Sequence, residues 1–285
     1  MAELDTVTVG AFDRDTAVRL EDESGSERVF AAEVSPDWLA GRGPHGGYLA
    51  AMLLRALVDT VADPGRSPRS LTIHYARAPE PGPVMIRTVI ERAGRSLSTL
   101  SARMERDGEV LALALAAFSV PWSAPEISEE PPPPVAPPDP ARESGRLLHP
   151  SAPHFTRHLV LQPRIGSAPF TGSAEPMEFA AWVGLAEPRA IDSLSLAFLS
   201  DALLPAVFSR LTERAVVPTV DLTVHFRAAT PRSENPDPEE LCLARMSTRV
   251  VHEGFFEEDG TIWASDGTVL AQSRQLAIVL PVPIG

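Results

Sequence analysis

Three polar residues in the later half of the chain sit among neighbours that make each of them conspicuous. Asp201 is the one charge in residues 194–208, which read Leu-Ser-Leu-Ala-Phe-Leu-Ser-Asp-Ala-Leu-Leu-Pro-Ala-Val-Phe. A buried, unpaired carboxylate is costly, so a segment this apolar keeps one only where it is hydrogen-bonded, neutralised or wet. Beside a water it would be a general base; ahead of Ala202 it would serve equally as a helix N-cap. Pro205 cannot donate to the Asp201 carbonyl, so a helix over 194–208 should kink or restart there. Thr219 opens a strand whose odd positions, Thr219, Asp221, Thr223 and His225, form a polar row opposite Val220, Leu222, Val224 and Phe226. Strand propensity is the plain account of each threonine. Gln275 shares a row with Ala271, Ser273, Ala277 and Val279, and an amide in such company needs hydrogen-bond partners.

Other chemistries are excluded by what the chain lacks. All 25 basic residues are arginine, which removes a lysine Schiff base, a Gly-Lys-Ser/Thr phosphate loop and a Ser-Lys dyad. Asn235 is the only asparagine and lies in a Ser-Glu-Asn-Pro-Asp-Pro turn, against a Cys-His-Asn arrangement, and no Gly-x-Ser-x-Gly elbow occurs. Cys242 is the single cysteine, follows Glu239 and Glu240, and reads as a buried strand residue rather than a reactive thiol. His45, in Gly43-Pro-His-Gly-Gly47, is either a metal ligand or activating base, or a loop histidine before a helix. No second ligand stands at metal spacing, which favours the loop reading. No metal and no cofactor is expected.

The elements that must position these groups occur twice. Ser70-Leu-Thr-Ile-His-Tyr75 matches Asp221-Leu-Thr-Val-His-Phe226, and Asp107-Gly-Glu-Val-Leu-Ala112 matches Asp266-Gly-Thr-Val-Leu-Ala271, in the same order. Between the copies, nine prolines crowd residues 121–140, which fixes φ repeatedly, removes donors and predicts an extended linker. The expected division is 1–120, a linker over 121–150, and 151–285 carrying the polar groups. In the first copy, Gly46–Val61 is apolar on nearly every side and must be an enclosed helix. Strands are predicted at 69–76, 83–91, 97–106 and 109–120, with Asp107-Gly108 as a type I′ turn. The second copy repeats this with the 194–208 helix and strands at 219–227, 241–252, 255–264 and 269–280. Such a pattern predicts an α+β fold in which each sheet curls round its own helix and the sheets join edge to edge. By register Gln275 stands where the first copy has Ala116, so the amide is not a requirement of the fold.

The chain has 285 residues, a net charge of −13 and 44% hydrophobic content, the profile of a globular protein. Its acidity disfavours nucleic acid and anionic lipid, and any phosphate-bearing ligand must find a local group of arginines. The longest nearly apolar run, 110–122, is too short to span a bilayer, so no membrane insertion is expected. The acidic start Met1-Ala-Glu-Leu-Asp5 lacks a signal-peptide pattern, which predicts a cytoplasmic protein.

These residues resemble the acyl-CoA thioesterase II family, the tandem double-hotdog thioesterases, over nearly the whole chain. Ser200-Asp201-Ala-Leu-Leu-Pro205, Thr219-Val-Asp221, and Gln275 after Asp266-Gly-Thr-Val-Leu-Ala271 match that family's motifs. Gly43-Pro-His-Gly-Gly-Tyr48 resembles the entry to the first hotdog helix. The resemblance implies a double hotdog, an acyl-CoA substrate, and catalytic positions at Asp201, Thr219 and Gln275, which would hold a water for attack on the thioester carbonyl. The helix start at Gly46 and Gly47 would contribute to binding the developing oxyanion. A hotdog hydratase or dehydratase, which generally wants a catalytic histidine, and a non-catalytic acyl-thioester-binding module are the alternatives. His74 and His225 occupy equivalent places in the two copies and read as structural. Free sheet edges and apolar faces predict a dimer of tandem units.

Overall fold

At the seam between the two halves the sequence repeat becomes geometry. In the computed structural model, which describes residues 9–41, 43–141 and 152–282, β3 (Ser67–Tyr75) pairs antiparallel with β10 (Thr219–Phe226). Thr72 lies opposite Thr223 with the hydroxyls 3.1 Å apart. These threonines are each other's counterparts in the repeat, so a pseudo-twofold axis passes between them. The remaining elements obey it. The first half holds α1 (Ala11–Asp15), β1 (Val18–Ser24), β2 (Glu27–Val34), α2 (Gly46–Val61), β4 (Gly82–Ala93), β5 (Leu97–Arg106) and β6 (Glu109–Ser119). The second holds β7 (Leu159–Ile165), β8 (Glu178–Leu185), α3 (Ser193–Leu199), β9 (Ala215–Val216), β11 (Cys242–Ser247), β12 (Val251–His252), β13 (Phe255–Trp263), β14 (Val269–Ile278) and β15 (Leu280–Pro281). One antiparallel sheet runs β1-β2-β4-β5-β6-β3-β10-β14-β13-β11-β8-β7, and its two halves are mirror-ordered about the seam. The edge-to-edge expectation holds, and the architecture is an α+β double hotdog.

Both helices lie on the inner face of this sheet and cross each other. Tyr48 through Leu54, Ala56 and Leu57 of α2 are buried, as are Leu194 through Leu199 of α3, in one core shared by the two halves. The crossing is close because Gly47 has no side chain. A Cβ there would stand 2.4 Å from the Phe198 carbonyl oxygen of α3. Leaving that space empty lets the α2 backbone reach the end of its partner helix.

Several sequence expectations need correction. The helix expected over 194–208 stops at Leu199, and residues 206–209 form a separate turn of 3₁₀ helix after Pro205. Asp192 sets where α3 starts. Its carboxylate accepts from the Ser195 N–H while the Ser195 hydroxyl accepts from the Asp192 N–H, a reciprocal cap. The strand expected over 241–252 breaks after Ser247, and the one over 269–280 breaks after Ile278. β1, β2, β7 and β8 precede the helices and escaped the repeat pattern, since no matched motif falls in them. The type I′ turn is present, with φ of 50° at Asp107 and 81° at Gly108. Cys242 is a buried strand residue as expected.

The proline-rich segment has no regular secondary structure, but it is bonded to the outer face of the second half. The indole of Trp182 donates to the Ala136 carbonyl and that of Trp263 to the Glu130 carbonyl, both at 2.9 Å. Gln162 bonds both the N–H and the carbonyl of Asp139, and Arg245 pairs with Glu130. Val135 packs against the apolar cluster that holds Trp182, Leu243 and Trp263. Prolines cannot donate, so the extended chain presents mostly carbonyls, and the sheet answers with side-chain donors. No helix among the described residues is long and apolar enough to cross a membrane.

Gly47→Ala should destabilise the fold by about 1–3 kcal/mol, the usual range for forcing atoms into a packed site. Urea unfolding would measure it, and an unchanged midpoint would show that the helix crossing relaxes freely.

Candidate active site

Asp201 follows the C-terminal end of α3, where the chain has run out of helix and can turn its side chain toward α2. It does not cap a helix of its own. Its Oδ2 instead accepts the Gly47 N–H at 2.8 Å, so the carboxylate sits at the positive end of α2. The N-cap role expected ahead of Ala202 is not seen, since no helix starts there and the carboxylate bonds the first turn of α2 instead. Burial is the first influence on this carboxyl and raises its pKa; the neighbouring His45, the Gly47 N–H and a hydrogen bond from Gln275 pull it back, leaving a net rise. A carboxylate in that condition is a stronger base than one in water.

The histidine before α2 is the helix N-cap. His45 Nδ1 accepts the Tyr48 N–H at 3.3 Å, which leaves the proton on Nε2 to be donated to the Asp201 carbonyl at 2.8 Å. The same Nε2 is 3.5 Å from Asp201 Oδ2. The ring stacks on Phe155 with centroids 4.1 Å apart, and burial holds its pKa below the usual histidine value. His45 is thus neutral, wedged, and committed to holding both the backbone and the side chain of Asp201. Tyr75, at the end of β3, closes the other side by donating to the Gly46 carbonyl at 2.9 Å. A Cβ on Gly46 would meet Asp201 Oδ2 at 2.8 Å and the Tyr75 ring at 3.4 Å.

Thr219 and Gln275 reach this place through a defect in the ladder. Thr219 pairs with Ala277 and Asp221 with Leu276, so Val220 is an extra residue in β10. The polar row expected to begin at Thr219 therefore begins at Asp221, and the bulge turns Thr219 to the inner face. There its hydroxyl donates to Gln275 Oε1 at 2.8 Å. The Gln275 amide nitrogen donates to Glu258 Oε2 at 2.8 Å, and the Gln275 side chain also lowers the pKa of the Asp201 carboxyl. Thr219 and Gln275 are thus hydrogen-bonded to each other beside Asp201, and Gly46 and Gly47 adjoin that carboxylate. His74 and His225 lie on the outer face, exposed. A groove of about 400 Å³ lined by Thr223, His225, Arg245 and Arg274 is also on that outer face, separated from Asp201 by the sheet.

Three participants were not found by the sequence reading. His45 was weighed only as a ligand or base against a loop residue, when its spacing to Tyr48 is that of a cap. Tyr75 was not singled out, and a single tyrosine at a strand end gives little signal. Glu258 did carry a signal. It shares the inner face of β13 with Phe256, Gly260 and Ile262, where a carboxylate is as out of place as Asp201 in its own segment. Among the described residues no three His, Cys, Asp or Glu side chains gather as a metal site.

Residues 34–119 match the family described as the acyl-CoA thioesterase N-terminal domain, and residues 128–279 match its C-terminal domain. An uncharacterized protein of Mycobacterium tuberculosis H37Rv is 24% identical over 282 residues, covering 88% of this chain and 91% of that protein. A hot dog-fold protein of unknown function from Alicyclobacillus acidocaldarius is 27% identical, with TM-score 0.80 over 97% of this chain and 100% of that one. An acyl-CoA thioesterase II from Mycobacterium marinum is similar in fold, with TM-score 0.71 and 20% identity over 95% of this chain and 99% of that one.

Because the pKa of His45 is lowered in the fold, the unfolded chain takes up a proton there first as pH falls. Its contribution is complete above the ordinary value of 6.5 and declines below it. His45→Asn keeps a capping side chain without that titration. The urea midpoint of the native protein should therefore fall relative to His45→Asn as pH is lowered below about 6.5, and a difference independent of pH would show that burial does not hold the ring neutral.

Proposed function

The chain belongs to the acyl-CoA thioesterase family, and we propose that it hydrolyses an acyl-CoA thioester with a water held by Asp201, Thr219 and Gln275. The observation that carries this reading is the buried Asp201 carboxylate, bonded to the first turn of α2 and raised in basicity, with the hydrogen-bonded Thr219–Gln275 pair beside it. Asp201 takes a proton as the water oxygen bonds to the thioester carbonyl carbon. The tetrahedral intermediate then collapses, the C–S bond breaks, and the proton held by Asp201 goes to the departing sulfur, giving free acid and CoA. No acyl-enzyme is required. The Gly47 N–H is engaged by Asp201, so we assign the Gly46 N–H, in the first turn of α2, to the carbonyl oxygen as it gains charge. The Thr219 hydroxyl orients the water from the opposite side. His45 has both ring nitrogens in use, which leaves a hydratase without the histidine base that reaction generally wants.

Two substitutions test the assignment by thiol release from acyl-CoAs of graded length. Asp201→Asn should lower turnover by roughly 10²–10⁴-fold, the range for loss of a general base, with the protein still folded. Gly46→Ala should push a methyl group against the carboxylate and lower kcat by about 10²-fold. Native turnover in Asp201→Asn would remove that residue from the reaction.

A further inference from the structure

We propose that Glu258 is a positioning residue of this site, whose buried carboxylate fixes which end of the Gln275 amide meets Thr219. The inference deepens the thioesterase reading and rests on it for its consequence in catalysis.

Glu258 is 3% exposed and stands directly across the β13–β14 ladder from Gln275. Its Oε2 accepts from Gln275 Nε2 at 2.8 Å, and its Oε1 accepts the Ala206 N–H at 2.7 Å. An ionised carboxylate has no hydrogen to give, so it can face only the nitrogen end of the amide. Once that end is held, Oε1 is left to accept the Thr219 hydroxyl. The flipped amide would set its carbonyl oxygen against the Glu258 carboxylate, acceptor against acceptor with no hydrogen between them. Without Glu258 the choice between the two orientations would fall to Asp201 and Thr219 alone, and the Thr219 hydroxyl can either give or accept.

The repeat supplies an independent argument. The counterparts of Gln275 and Glu258 in the first half are Ala116 and Leu100, which face each other across the β5–β6 ladder as the later pair do across β13–β14. Both members of the pair are polar in one half and both apolar in the other. Glu258 therefore travels with the amide and not with the fold. Keeping it is costly: burial first, then Asp201 at the end of α3 and Glu257 on its own strand, push the Glu258 carboxyl up to about 7 against the pull of the Ala206 N–H and Gln275. His45 and Tyr75 are the titratable groups beyond Asp201, and Arg274 and Asp259 pair on the opposite face of the sheet. When Glu258 takes a proton it gains a hydrogen to donate, and the amide is released.

Glu258→Gln is the informative variant, because its own N–H can donate to Gln275 Oε1 and so admits the flip. We expect kcat for acyl-CoA hydrolysis to fall about 10- to 100-fold with KM little changed, the scale of a misplaced catalytic group. The loss should vanish when the same change is made in a Gln275→Ala background. Independent, additive losses, or full turnover in Glu258→Gln, would overturn the proposal. Glu258→Leu, which restores the residue type of Leu100, controls for folding and should match the loss. A second readout needs no turnover. The Gln275 side-chain amide in ¹⁵N-labelled protein, identified by its absence in Gln275→Ala, should shift between about pH 5.5 and 8.5 in the native chain and stay fixed in Glu258→Gln. An amide that ignores Glu258 sinks the proposal. A native protein that hydrolyses no acyl-CoA while its amide follows Glu258 sinks the thioesterase reading instead.

Discussion

The contact between the Asp201 carboxylate and the Gly47 N–H is the constraint around which the molecule is arranged. It joins the end of one helix to the start of another, and the two helices come from different halves of the chain. For the contact to exist, α3 must end at Leu199, α2 must start at Gly46, and the helices must cross closely enough that a methyl group on Gly47 would strike the Phe198 carbonyl. The dipole of α2 offsets part of the burial cost of the charge. What remains uncompensated raises the basicity of the carboxylate, which is the property a proton acceptor requires.

Around that contact the two repeats have diverged in chemistry and in helix length while keeping the same ladder. The ladder defect that turns Thr219 inward recurs in the first half, between Pro68 and Ser70. Counting from the helix caps Asp192 and His45, the place of Asp201 is taken by Leu54. Leu54, Pro68, Leu100 and Ala116 thus occupy the positions of Asp201, Thr219, Glu258 and Gln275, and none of them carries an ionisable side chain. Comparable backbone geometry carries a polar network in one half and hydrocarbon in the other, so the bulge belongs to the fold and the hydrogen bonds do not.

Much of this was legible in the sequence because it depends on local pattern. The duplicated Leu-Thr-Ile/Val-His motif revealed the repeat, though not that its two copies pair at the seam, and the all-apolar character of residues 46–61 located the enclosed helix. Asp201 and Gln275 stood out because polar groups in apolar company are costly, whereas Thr219 lay in a polar row and was marked only by its resemblance to a family motif. What was not legible depends on distance. Nothing near position 45 reveals that its ring will meet residue 201, and an alternation rule cannot anticipate an inserted residue such as Val220. The early end of α3 was obscured because the apolar character of the segment continues past it: Ala202 and Leu203 are as buried as the helix itself. The linker was readable as extended, but not its attachment, since the tryptophans that hold it lie far along the chain.

The pairing of Thr72 with Thr223 has a consequence for how such a molecule can change. When two separate copies of one polypeptide meet about a dyad, every mutation appears twice, and a group useful on one side must be tolerated on the other. Here the partners across the axis are different stretches of a single gene product, so one side is free to specialise while the other keeps the scaffold rigid. The outcome is a molecule whose buried polar network lies in one half only, set in a frame that still records the symmetry of its origin.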